Sequence, residues 1–270
     1  MTVVTLPAAE RIALAFARAR AEGRLALVIY LTVGFPERGS TIDLARAALD
    51  AGADVLELGV PFSDPLADGA TVQRASEIAL GNGTTLAACL AAARPIAPDA
   101  PVLLMGYTNP FLRHGLERFA AEAADASVAG VIVPDLPAEE AAPFDAALAP
   151  RGLVRIDLYA PTTPDERLAR LLPSARGFVY CVALTGVTGA RAALGDETPA
   201  LVRRVRAHTP LPIAVGFGIS RPEHVAALRG VADGVVVGSA ALEAIAAAAP
   251  RERSRALGAF VAAMRKAGQR

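Results

Sequence analysis

Eight short apolar runs, each followed by a segment with helical spacing, constrain this chain more than any other feature. The runs are Leu25–Val33, Asp54–Leu58, Pro101–Met105, Gly130–Val133, Leu153–Leu158, Gly177–Val182, Leu211–Val215 and Gly234–Val237. The alanine-rich helical segments are Ser40–Ala51, Thr71–Leu80, Leu86–Ala97, Leu116–Ala124, Ala138–Ala149, Pro164–Leu172, Thr198–His208 and Arg221–Arg229. Each run is continuous rather than alternating, as expected of parallel strands covered on both faces. Eight strand–helix units in 270 residues, 53% of them hydrophobic, predict one α/β domain over residues 1–270, a closed (β/α)8 TIM barrel. An open doubly wound sheet would need a Gly-rich turn after its first strand, and Gly34-Phe35-Pro36 does not supply one. An amphipathic segment, Ala8–Glu22, precedes the first strand and could close the barrel floor. The second crossover, Gly69–Pro98, has room for an extra helix, and Pro250 divides the C-terminal region into two helical segments.

Lysine plus arginine equals aspartate plus glutamate at 27 each, so neither a nucleic-acid footprint nor an anionic-membrane patch is expected. Any phosphate recognition should come from backbone and dipoles. Cys89 and Cys181 lack metal-ligand spacing and read as free thiols of a reducing compartment. The first residues show no signal-peptide pattern. The longest uncharged stretch, Ile78–Ala93, is broken by Gly81, Asn82 and Gly83 and is too short to span a bilayer. A cytoplasmic protein without membrane contact is expected.

In this architecture the loops after the strands build the active site, and the unusual residues fall there. Glu57 sits near the end of the second run, with Asp64 and Asp68 in the Pro- and Gly-shaped loop that follows. Burying a carboxylate is costly; an acid at a strand end beside an acid-bearing loop suits a general acid/base pair. On the residues alone, Glu57 could equally be a structural carboxylate paired with an arginine. Ser63-Asp64-Pro65 favours a turn, so Asp64 reads first as loop scaffold or interface. Gly218, Gly238 and Ser239 follow the last two strands. Glycines admit a bound group closely, and a helix starting at Ser239 would aim free N–H groups at it. They fit a phosphate cradle, although such glycines also serve tight turns. Thr185-Gly186-Val187-Thr188-Gly189 reads as a lid or as a plain surface loop. His114, His208 and His224 fall in helices or lower loops and are expected at the surface, which leaves the chemistry to carboxylates. No His/Cys/acid cluster suggests a metal, and no Ser-His-Asp set is evident.

The run Leu56-Glu57-Leu58-Gly59-Val60-Pro61-Phe62-Ser63-Asp64-Pro65-Leu66-Ala67-Asp68-Gly69 closely resembles the signature of tryptophan synthase alpha chains. The likeness extends almost end to end, through Tyr30–Pro36, Thr71–Ala75, Asn109-Pro110, Pro134–Glu140, Ala160–Pro164, Gly186–Gly189, Gly216–Ser220 and Gly238–Ala240. The resemblance implies reverse-aldol cleavage of indole-3-glycerol phosphate to indole and glyceraldehyde 3-phosphate. Glu57 matches the general acid/base and Asp68 the acid that accepts the indole N–H. Tyr180 matches the active-site tyrosine, and Tyr30, Met105, Ile132 and Leu158 would supply apolar wall. Gly189, Gly218, Gly238 and Ser239 match the phosphate site, with Phe217 alongside, and Thr188 matches the lid threonine that meets Asp68. The family implies a beta-chain partner, as an alpha2-beta2 heterotetramer in which indole passes through a tunnel. The alpha chain itself carries no cofactor; pyridoxal phosphate belongs to the beta chain. Asp64 and Pro65 would then lie at the interface.

Ala70 stands where proline is usual, Ala183-Leu184 where a serine-containing pair is frequent, and Ile29 where proline often precedes Tyr30. Ala70 is expected to leave the Asp68 loop less rigid. Three rivals share parts of this pattern: a stand-alone lyase releasing free indole, another phosphate-binding barrel, and an idle subunit that only activates a partner.

Overall fold

A computed structural model describes residues 6–183 and 197–269. Nine parallel strand segments form one sheet: β1 (Ala26–Thr32), β2 (Val55–Gly59), β3 (Val102–Met105), β4 (Gly130–Ile132), β5 (Val154–Ile156), β6 (Leu158–Tyr159), β7 (Val179–Val182), β8 (Ile213–Gly216) and β9 (Gly234–Val237). Their order is β5-β4-β3-β2-β1-β9-β8-β7-β6. The two ends of that order are consecutive in the chain, on either side of Asp157, so the sheet closes on itself as a barrel. The single fifth strand expected over Leu153–Leu158 is thus two pieces, β5 pairing with β4 and β6 with β7. Asp157, a poor strand former, interrupts it while its side chain pairs with Arg155. Its carbonyl still accepts the Tyr180 N–H at 3.1 Å.

Twelve helices lie among the described residues: α1 (Ala8–Ala21), α2 (Ser40–Asp50), α3 (Ala70–Gly81), α4 (Leu86–Ala93), α5 (Thr108–His114), α6 (Leu116–Asp125), α7 (Ala142–Leu148), α8 (Asp165–Leu171), α9 (Glu197–Arg206), α10 (Pro222–Ala227), α11 (Ser239–Ala247) and α12 (Arg253–Ala267). The extra helix of the second crossover is α4. The helix expected over Ala138–Ala149 is α7 flanked by two 3-10 turns, because Pro143 lacks an N–H and crowds the preceding turn. The short α5 escaped the periodicity altogether. None of these helices is long and apolar enough to cross a membrane.

The interior is layered. At the bottom, Ala26 pairs with Gly234, and α1 lays Phe16 against them: a Cβ on Gly234 would come within 2.8 Å of that ring. Phe16 also meets Phe178, with ring centroids 5.3 Å apart. Arg11 of α1 donates to the carbonyls of Ser127 (3.0 Å) and Ala100 (3.1 Å), tying the helix across the strand entrances. Beneath β2 the Arg24 guanidinium grips Asp54 at 2.5 and 2.8 Å, both side chains almost wholly buried. Asp54 also accepts the Leu27 N–H at 2.9 Å. Val28, Val55 and Val236 form the next layer by strand register, and Tyr30 and Glu57 stand above them.

Candidate active site

Register sets Tyr30 of β1 beside Glu57 of β2, and Glu57 beside Leu103 of β3. The carboxyl group is therefore walled by a phenol ring and a leucine. Glu57 is 1% exposed, and its Oε2 has no hydrogen-bond partner among the described residues. Burial pushes its pKa up to about 8, and the nearby charge of Asp68 adds to the rise. A carboxyl group held neutral near pH 7, with an uncommitted oxygen, is equipped to donate a proton.

Asp68 is placed by its loop. Its own N–H donates to the Pro65 carbonyl at 3.0 Å, and the Gln73 amide of α3 donates to its carbonyl at 2.9 Å. Burial raises Asp68 to about 6, against the pull of a hydrogen bond with Tyr107. Tyr107, at the start of α5, also accepts the Ala67 N–H at 2.9 Å and stacks on Phe62 with centroids 5.3 Å apart. Asp135, after β4, anchors the same turn by accepting the Thr108 N–H and hydroxyl at 2.9 and 3.0 Å. Tyr107 is a site residue that sequence reasoning missed; the only signal was a tyrosine just after the end of the third strand.

Two tyrosines complete the floor of the cavity. The Tyr30 hydroxyl lies over Gly59, where a Cβ would come within 2.1 Å of it. The Tyr180 hydroxyl lies over Gly216 in the same way, at 2.2 Å. Each glycine ends a strand adjacent to its tyrosine's own, so the absence of a side chain there is what lets each phenol lie flat. Tyr180 also meets Phe217 edge-on at 5.9 Å.

Glu57, Asp68, Tyr30 and Tyr180 share one cavity of about 300 Å³. Of the residues singled out in the sequence, it is lined by Glu57, Asp68, Tyr180, Tyr30, Met105, Phe217, Gly218, Gly238 and Ser239. Ile219 and Ser220, expected on the catalytic side, line it as well, and so do Val72 and Glu243, which were missed; Glu243, at the rim, accepts the Thr71 hydroxyl at 2.9 Å. Ile132 and Leu158 do not line it. Ile132 is fully buried on β4, and Leu158 lines a separate cavity of about 400 Å³ after β4 and β6. The acids that line that larger space are engaged, Asp157 with Arg155 and Asp135 with Thr108. Thr188 and Gly189 lie outside the described residues. Asp64 is exposed and Pro65 half-buried on the rim, and between them and Asp68 stands Leu66, 93% exposed. His224, expected at the surface, is instead buried beside the loop after β8. Among the described residues no group of three or more His, Cys, Asp or Glu is placed to hold a metal.

The family model of the tryptophan synthase alpha chain matches residues 16–268. The chain belongs to the tryptophan synthase alpha chain family. It is 54% identical over 258 residues to the tryptophan synthase alpha chain of Roseiflexus castenholzii, covering 94% of this chain and 99% of that one. The alpha chain of Chloroflexus aggregans is 51% identical over 263 residues, covering 96% and 98%. Among solved structures, Mycobacterium tuberculosis tryptophan synthase superposes with a TM-score of 0.88 at 38% identity, over 96% of this chain and 98% of that one. The alpha subunit from Legionella pneumophila gives 0.87 at 37%, over 95% and 97%. As an alpha-chain family member this protein is a lyase with a beta-chain counterpart, and the shared barrel accounts for its strand order.

Proposed function

We propose that this barrel, acting as one domain, cleaves indole-3-glycerol phosphate by a reverse aldol reaction to indole and glyceraldehyde 3-phosphate. The observation that carries the reading is the pairing, in one cavity, of a buried Glu57 whose Oε2 has no partner among the described residues with an Asp68 that stays more acidic. The indole ring is a poor leaving group until the carbon bearing the side chain is protonated. Glu57, neutral as bound, delivers that proton and as carboxylate takes the hydroxyl proton as the carbon–carbon bond breaks. Asp68, ionised, accepts the ring N–H and stabilises the positive charge that spreads to the nitrogen. Two carboxyl groups with pKa values pushed apart by environment divide the acid and electrostatic roles.

Tyr30, Met105 and Tyr180 flank the ring. The phosphate lies against Gly218, Gly238 and Ser239, where α11 begins and its unpaired N–H groups point outward; Phe217 closes the edge, with Gly189 and Thr188 assigned to this end and to the lid by resemblance alone. Ile132 and Leu158 have no part in the wall on this reading. The chain works in the cytoplasm with a beta chain that carries the pyridoxal phosphate, as an alpha2-beta2 assembly, and itself needs no cofactor. Asp64, Pro65 and the protruding Leu66 form its docking edge, which suits a partner supplying apolar cover for Leu66.

The test is indole release from indole-3-glycerol phosphate by wild type and Glu57→Gln, each with and without a beta chain. Slow release that a beta chain accelerates and the substitution abolishes is the expected result. Fast release without a beta chain would make this a stand-alone lyase. No release under any condition would leave another phosphate-binding barrel, and intact release by Glu57→Gln would remove the proposed acid.

A further inference from the structure

The loop between β8 and α10 carries the least ordinary backbone of the cavity wall. Phe217 and Gly218 both have positive φ, 68° and 77°. A bulky residue in the left-handed region needs its surroundings to hold it there. The group that spans this loop is on α10. His224 is 9% exposed, with Nδ1 3.1 Å from the Gly218 carbonyl oxygen and 3.3 Å from the Ser220 amide nitrogen. The same loop presents Phe217, Gly218, Ile219 and Ser220 to the cavity. Nδ1 can donate to the carbonyl in one tautomer or accept the amide proton in the other, but not both at once. The shorter contact is to the carbonyl. The Ser220 N–H is also directed at Nδ1, so in either tautomer the ring fastens this turn to α10.

We propose that His224 is a positioning residue for the phosphate end of the substrate, its Nδ1 pinning the turn at Gly218 and Ser220 to α10 so that the Gly218 edge of the cavity keeps the shape that receives the anion. This rests on the assignment of the Gly218 loop to phosphate made above. His224 touches no reacting atom; its effect is on how tightly the phosphorylated end is held.

The experiment compares His224→Leu and His224→Asn with wild type, with a beta chain present, on indole-3-glycerol phosphate and on the dephosphorylated indole glycerol. Losing one such hydrogen bond should raise KM for the phosphorylated substrate about tenfold, with kcat changed by less than about twofold. Turnover of the dephosphorylated compound should be unchanged. The asparagine amide nitrogen is as many bonds from Cα as Nδ1, so His224→Asn should restore KM to within about threefold of wild type. Competition by inorganic phosphate should weaken in His224→Leu in parallel with KM. Should the leucine variant not fold, His224→Ala, which only removes atoms, reads the same comparison. Equal losses on both substrates would show a merely structural histidine and overturn the proposal, as would an unchanged KM. A wild type that treats both substrates alike would remove the phosphate assignment, and this inference with it.

Discussion

Glu57 is the residue on which folding and chemistry pull in opposite directions. Its folded pKa of about 8 lies above the ordinary carboxyl value, so the folded state holds a proton that the unfolded chain has released. Between the ordinary value and about 8 the folded state therefore loses stability as pH rises. Glu57→Gln removes the ionisable group, so its melting temperature should exceed that of wild type by several degrees at pH 8 and converge with it at pH 4. The underlying stabilisation is on the order of a few kcal/mol. Thermal melts across that range would check this, and a wild type equally stable at both ends would refute a buried neutral Glu57. The same pair shapes catalysis. The proposed mechanism needs Asp68 ionised and Glu57 protonated, so kcat/KM should form a bell with apparent limbs near 6 and 8 belonging to the pair. Tyr107 holds Asp68 down and takes the Ala67 N–H. Tyr107→Phe should move the acidic limb to higher pH and lower kcat/KM about tenfold, the worth of a hydrogen bond to a charged group; an unmoved limb would deny the contact.

At the scale of elements, the loop after β2 and the helix it feeds show how a small local change can be felt. Ala70 is the first residue of α3, and Gly69 before it is extended at φ −74° and ψ 163°. That is the conformation a following proline requires, and a proline at the first helical position loses no helical hydrogen bond. Ala70→Pro should therefore stabilise the chain by about 0.4–1 kcal/mol through the unfolded state. Urea denaturation checks the sign. The elements also show what the sequence could and could not reveal. Continuous apolar runs exposed the strands, because parallel strands bury both faces. Asp157 hid the break in the fifth strand, since one acid in an apolar run does not declare that it will pair with Arg155. The helix α5 has Pro110 in its first turn and a glycine after its end, and its N-terminus is anchored by Asp135 from another loop. A contact across 27 residues leaves no local pattern. Glu57 drew attention in the sequence because it ends an apolar run just before an acid-bearing loop, and its expected role came from the family resemblance. His224 was misjudged because amphipathic spacing in a six-residue helix cannot say which face a neighbouring loop covers.

Across the whole molecule a buried ion pair and the acids proposed to react sit at opposite ends of the barrel. The Arg24–Asp54 pair lies below the strands, and Glu57 and Asp68 lie above. Breaking the lower pair with Asp54→Ala leaves a buried guanidinium short of its main partner and frees the Leu27 N–H. The expected cost is about 3–5 kcal/mol. That should lower the melting temperature by roughly 6–15 °C while kcat at 25 °C stays within about twofold, because the partners of Asp54 are Arg18, Arg24 and the Leu27 N–H, none of which lines the cavity. A large fall in kcat without a fall in stability would mean the two ends communicate.

The helix laid across the strand entrances has one more consequence. Among the described residues, Phe16 and Arg11 cover the bottom of the barrel, and the cavity of Glu57 opens at the other end. That threshold lies among the loops that carry Asp68, Gly218 and Ser239. A second protein resting on Leu66 beside that threshold would govern traffic in both directions, and could admit one cargo while holding back another without touching a reacting atom.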